Sequence, residues 1–156
     1  MNTPKLMEQK RRIIPPVYLL LSLIAMALLH FYLPVRRFLA PPNSYVGVVW
    51  ILAGIGISAI AARSFTKAGT PVVPFERSTA LVTTGLFKYT RNPMYLGMVF
   101  ILIGAWLCFG SISPVVPIVA FVWIITANFI RGEERFLEDI FGEQYLLYKK
   151  QVRRWI

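Results

Sequence analysis

Residues 94–130 read MYLGMVFILIGAWLCFGSISPVVPIVAFVWIITANFI. Two apolar runs, 94–109 and 115–130, flank a turn made of Gly110, Ser111 and Ser113, and Pro114 opens the second run. Each run approaches the shortest length that crosses the hydrocarbon core of a bilayer as a helix, about 17 residues. Proline suits a helix's first turn, where its missing N–H would have been unpaired in any case. The stretch therefore predicts a tight helical hairpin in lipid.

Working outward, two more apolar runs precede it. Pro15 and Pro16 open the run 17–33 and Pro34 closes it, with Tyr18, Phe31 and Tyr32 where interfacial aromatics sit. After the short turn 36–44 comes the run 45–62, in which Gly54, Ser58 and Ala62 form a small-residue stripe that lets another helix approach closely. The expected fold is all-α: a single polytopic membrane domain over residues 1–156, with four transmembrane helices and an amphipathic C-terminal helix at the cytoplasmic face. The first run is expected to stay in the protein, being too long for the apolar part of a signal peptide and lacking a small-residue cleavage site.

Composition agrees. The chain is 56% hydrophobic and 15% charged, against about 25% charged for a soluble domain. A globule of this size could not hide so many apolar side chains. The net charge of +10 does not indicate a nucleic-acid partner, because the basic residues flank apolar runs and form no separate basic domain. The lone cysteine, Cys108, lies inside an apolar run and reads as packing. His30, the only histidine, lies near the far end of the first helix and also reads as packing. No metal site is expected.

Of the 17 Lys and Arg residues, only Arg36 and Arg37 lie in the first connection and none in the third. The remainder fall in the amino terminus, the connection 63–92 and the tail, which an even number of helices places together. The positive-inside rule makes that side cytoplasmic, with both termini there. All seven acidic residues lie on it too, so acid, base or ion-pair chemistry is expected there.

Two polar blocks remain to carry chemistry. The segment 63–92 is too long for an idle connection. It ends in Arg91-Asn92-Pro93, where Asn92 can cap the next helix and the unpaired N–H groups favour an anionic group. The second block, Arg131-Gly132-Glu133-Glu134, sets adjacent carboxylates beside the bilayer. They either neutralise Arg131 and Arg135 or bind a cationic ligand.

The segments Leu81-Val82-Thr83-Thr84-Gly85, Arg91-Asn92-Pro93-Met94-Tyr95-Leu96-Gly97, Glu133-Glu134, Phe141-Gly142-Glu143-Gln144-Tyr145 and Tyr148-Lys149-Lys150 together resemble one family. It is the superfamily of isoprenylcysteine carboxyl methyltransferases and phospholipid methyltransferases, which are integral membrane enzymes. The resemblance is specific over about half the chain; the first two helices match only in character. It implies S-adenosylmethionine as cofactor, held at the cytoplasmic face by Thr79, Leu81, Val82, Phe87, Asn92, Pro93, Met94, Tyr95 and Glu133. It also implies a lipophilic acceptor entering from the bilayer and, with asparagine at position 92 as in bacterial and phospholipid-type relatives, a prokaryotic cytoplasmic membrane. The isoprenylcysteine enzymes carry histidine at position 92 and an arginine where this chain has Phe129. Arg131 is the nearest substitute for a cation that draws in the acceptor, and Glu134 or Tyr95 is the candidate base if the acceptor is an amine. A carboxylate acceptor would need no base. Carboxyl O-methylation of an isoprenylcysteine-like substrate is thus the leading expectation, with phospholipid amine N-methylation or a non-catalytic ligand-binding role behind it.

Overall fold

Pro15 and Pro16 start the first helix, α1 (Pro15–Tyr32), as their fixed backbone angle favours. The structure is a computed structural model that describes residues 14–69 and 80–156. A short 3-10 turn, Asn43–Tyr45, leads into α2 (Val46–Lys67), and a second, Gly85–Lys88, precedes α3 (Pro93–Phe109). Then come α4 (Val115–Ile125), a π turn (Thr126–Ile130), α5 (Arg131–Phe141) and α6 (Glu143–Gln151). Among the described residues the fold is helical, with a single isolated bridge between Arg37 and Ser111.

Among the described residues three stretches are long and apolar enough to cross a membrane: Pro15–Tyr32, Asn43–Lys67 and Val115–Phe141. The fourth expected span, α3, is apolar but shorter, at 17 residues. Leu20, Leu28, Leu52, Val119 and Trp123 all face outward, an apolar surface that only lipid would solvate favourably.

The last long stretch departs from the sequence-based expectation. That expectation ends the helix near residue 130, yet α4, the π turn and α5 form one rod to Phe141. Gly132 lies inside it, a tolerable cost of about 1 kcal/mol relative to alanine, and no proline interrupts it after Pro117. The break falls at Gly142, whose φ of 51° reverses the chain. The tail is consequently two short helices, α5 and α6, instead of one.

The tightest packing is the antiparallel seam between α2 and α3. Gly47 meets Gly104 and Gly54 meets Gly97, so that a Cβ on Gly54 would stand 2.5 Å from the Gly97 carbonyl oxygen. The buried positions on α2 are Gly47, Gly54 and Ala61, seven apart, whereas Ala62 is only half-buried. The four-residue stripe read from the sequence therefore holds at Gly54 and at Ser58, whose hydroxyl donates to the Met94 carbonyl at 3.3 Å. It fails at Ala62, because two helices that stay in contact along their length meet once every two turns.

Met26, Leu102, Phe121, Ile125 and Ile130 close the centre of the bundle. At one end the two short connections join, with Phe38 N–H donating to the Gly110 carbonyl at 2.8 Å and Ile112 N–H to the Val35 carbonyl at 3.1 Å. His30 and Ser111 are hydrogen-bonded there at 2.8 Å, and the His30 ring stacks on Phe109. The polar segments gather at the opposite end.

Candidate cofactor-binding site

At that opposite end the carboxy terminus is stitched to the residues that open α3. Arg91 N–H donates to the Arg153 carbonyl at 3.0 Å. The Thr90 hydroxyl and the Asn92 side-chain amide both donate to the Arg154 carbonyl, at 3.2 Å and 2.9 Å. Asn92 thus makes no side-chain cap on α3. The expectation that it caps the helix is corrected, because its amide is spent on the tail and Thr90 accepts the Asn92 N–H at 3.1 Å.

One buried carboxylate holds this arrangement together. Glu134 accepts from Arg154 Nε at 2.9 Å and Nη2 at 2.7 Å, and lies 3.2 Å from Arg91 Nη2. The side chains of Arg91 and Glu134 are 8% and 7% exposed. Paired guanidinium and carboxylate groups so deeply placed stand only because each neutralises the other. The hydrogen bond to Glu134 also raises the Arg154 pKa above its ordinary value, against partial burial. Glu138, one turn on, pairs with Lys149 of α6. The expectation that the carboxylates neutralise Arg131 and Arg135 does not hold: both arginines are exposed, and Glu134 turns to partners far along the chain.

Glu133 points elsewhere. The Tyr95 hydroxyl donates to Glu133 Oε1 at 2.6 Å, the short contact typical of a hydroxyl on a carboxylate. Tyr95 is buried on the first turns of α3, so this bond ties α3 to α5.

Between these groups lies a cavity lined by Leu81, Val82, Phe87, Arg91, Glu133 and Tyr145, among others. Phe87 is buried edge-on against Phe65, with ring centroids 5.2 Å apart, and its carbonyl accepts the Tyr148 hydroxyl at 2.7 Å. The Tyr145 hydroxyl is pushed up to about 12, first by burial and then by the Glu134 charge, with Arg91 pulling the other way. Among the described residues, two buried nitrogens of Arg91, Nε and Nη1, find no hydrogen-bond partner. Buried guanidinium donors are costly to leave unmade, so they mark a place for an anionic group. The enclosed space is about 80 Å³, the share of two or three water molecules at about 30 Å³ each. It leaves room for small polar groups between the Glu133 carboxylate and the Arg91 guanidinium.

The family model for phospholipid methyltransferase matches residues 42–144. The chain belongs to this family. It is 34% identical over 113 residues to protein-S-isoprenylcysteine O-methyltransferase A of Arabidopsis thaliana, a match covering 70% of this chain and 56% of that protein. To protein-S-isoprenylcysteine O-methyltransferase of Saccharomyces cerevisiae it is 27% identical over 109 residues, covering 69% of this chain and 46% of the other. An uncharacterized protein of Haemophilus influenzae is matched along its whole length, at 36% identity over 63 residues. The chain spans about half the length of the isoprenylcysteine methyltransferases it matches.

Of the residues that the family resemblance implied, Leu81, Val82, Phe87, Asn92, Glu133 and Glu134 do come together around the cavity. Tyr95 reaches it through Glu133, while Pro93 and Met94 form the turn that presents Tyr95. Thr79 lies outside the described residues. Two further assignments meet constraints that only the packing shows. Glu134 is committed to Arg91 and Arg154, so it is not free to take a proton as a base. Arg131 is exposed and does not line the cavity. The π turn just before it adds a residue to the helix, which rotates the faces of α5 by about 100°. Phe129, at the position where the resemblance led to an expectation of arginine, is 3% exposed and packs edge-on against Tyr18. Sequence reasoning missed Arg91, Arg154, Tyr145 and Tyr148. Arg91, Tyr145 and Tyr148 stood inside the quoted segments, but nothing in their spacing assigned them a role.

Proposed function

We propose that this chain is a membrane-embedded methyltransferase that uses S-adenosylmethionine and acts on a lipophilic acceptor from the bilayer. The leading acceptor is a carboxylate of the isoprenylcysteine kind. The observation that carries the reading is the pairing, across one small cavity, of Glu133 with the unsatisfied Nε and Nη1 of Arg91. That donor set complements an amino-acid zwitterion, which is the end of S-adenosylmethionine beside its sulfonium.

The bound cofactor supplies an electrophilic methyl group. Arg91 holds its carboxylate, and Glu133, steadied by the Tyr95 hydroxyl, holds its ammonium by charge-assisted hydrogen bonds. Glu134 and Arg154 fix the Arg91 guanidinium in place, acting as positioning residues. Leu81, Val82 and Phe87 supply an apolar wall that keeps water off the methyl group. Asn92 contributes by tying the tail across the site. Arg131, exposed at the start of α5, is assigned to meeting an acid arriving from the lipid. Among the described residues, with Glu134 held in its ion pairs and Glu133 assigned to the cofactor's ammonium, no further carboxylate lines the cavity, which favours an acceptor already ionised at neutral pH. The second reading, methylation of a phospholipid amine, is favoured by the family whose model matches the chain. Four spans with both termini cytoplasmic complete the proposal, supported by the joining of both short connections at the end opposite the cavity.

Titration calorimetry in detergent should show S-adenosylmethionine binding, weakened about 10- to 100-fold by Arg91→Lys and by Glu133→Gln, the scale of a lost hydrogen bond to a charged group. Parent-like affinity in both variants, each confirmed as folded, would overturn the site. Label transferred from the methyl group to a lipid extract should be released by base if an ester forms and retained if an amine is methylated.

A further inference from the structure

One face of α2 changes character along its length. Val49, Leu52 and Ile60 are exposed on it, Gly56 faces open space, and Arg63 and Lys67 continue the same line at helical spacing. A lipid-facing apolar stripe thus ends in two cations one turn apart. Among the described residues neither cation makes an ion pair. Their place near the helix's carboxy end is favourable for any cation, but as like charges at this spacing they repel each other.

Both border a cleft of about 580 Å³, separate from the cavity at Glu133. Thr83 and Thr84 form part of its lining, carried there by the turn at Gly85, whose φ is 63°. Leu81 and Val82 wall the cleft on one side and the cofactor cavity on the other. Two cations without an ion pair among the described residues, and two hydroxyl-bearing side chains, around an open cleft suit a tetrahedral oxyanion, and the apolar stripe leading to it suits acyl chains.

We propose that this cleft holds the phosphate of an anionic membrane phospholipid, with Arg63 and Lys67 as its counter-charges and the tails lying along Ile60, Leu52 and Val49. The bound lipid buttresses the Leu81–Val82 wall that it shares with the cofactor cavity. The proposal does not depend on methyl transfer.

The test uses the full chain in detergent, with thermal unfolding followed against added phosphatidylglycerol, phosphatidylcholine or inorganic phosphate. Phosphatidylglycerol should raise the melting temperature in a saturable way, and phosphatidylcholine should do so much less. The double variant Arg63→Gln/Lys67→Gln should need on the order of 30-fold more phosphatidylglycerol for the same rise, the scale expected from two interfacial cations. Lys88→Gln/Arg135→Gln, which removes two exposed cations elsewhere, should respond as the parent does. An equal loss in that control would reduce the effect to diffuse surface attraction and overturn the site. A matching rise with inorganic phosphate alone would overturn the lipid as occupant. No rise with phosphatidylglycerol in the parent would overturn the proposal outright. Should the double variant fail to fold, Arg63→Gln and Lys67→Gln singly should each show part of the loss.

Discussion

The α2–α3 seam and the polar cap around Glu134 hold the same molecule together by opposite means. The seam works by removing side chains: Gly47, Gly54, Gly97 and Gly104 let two backbones touch, so that dispersion and close packing do the holding where lipid offers no hydrophobic gain. The cap works by adding charge. Glu134 is enclosed with Arg91 and covered by the half-buried Arg154, and its bonds would be lost to water if the tail did not cover them. The seam tolerates no added atom, and the cap tolerates no missing partner.

The cap should break hardest. Glu134→Leu strands the buried guanidinium of Arg91, and losing one member of a buried pair costs about 3–5 kcal/mol. Thermal unfolding in detergent should show the tail releasing first. The double change Arg91→Met/Glu134→Leu, which removes both charges, should recover much of the melting temperature while still failing to bind the cofactor. A single variant as stable as the parent would mean that the cap does not hold the tail.

The seam comes next. Gly54→Val should separate α2 from α3 and cost about 1–3 kcal/mol through overpacking, seen as lost monodispersity and a lower melting temperature. Gly56→Ala, two residues along but facing open space, should be neutral or slightly stabilising, since alanine is the better helix former. Equal effects at the two glycines would mean that the seam is not where the helices meet.

The smallest effect sharpens the boundary between the two regions. Tyr148→Phe deletes the hydroxyl donated to the Phe87 carbonyl and should cost about 1 kcal/mol. Hydrogen exchange should quicken around residues 85–88 and leave the α2–α3 seam unchanged. Faster exchange in the seam as well would show the two regions to be one cooperative unit.

Legibility in the sequence divides along the same line. The helices were legible because each apolar run must satisfy its own backbone in lipid and is punctuated by proline at Pro15, Pro34 and Pro114. Their ends were less so: the last apolar run stops near residue 130 while the helix continues, since the rod ends only at Gly142, whose φ is 51°. Of the candidate site, the segments 81–87 and 91–95 and the pair Glu133–Glu134 were visible through their resemblance to the methyltransferase family. Their division of labour was not. Two adjacent glutamates on a helix point about 100° apart, and which faces Tyr95 and which faces Arg154 depends on the π turn upstream.

The sequence by itself determined that the chain is helical, that it seeks lipid and which segments are polar enough to carry a site. Those properties come from runs of neighbouring residues, whose free energy of transfer and backbone preferences are local. Only the tertiary structure decided that Arg91 carries unpaired donors into a cavity, that Glu134 is a structural counter-charge, and that Asn92 binds the Arg154 carbonyl 62 positions away. Charge pairs and hydrogen bonds between distant segments have no period in the sequence. They exist only once the helices have packed and excluded water from between them.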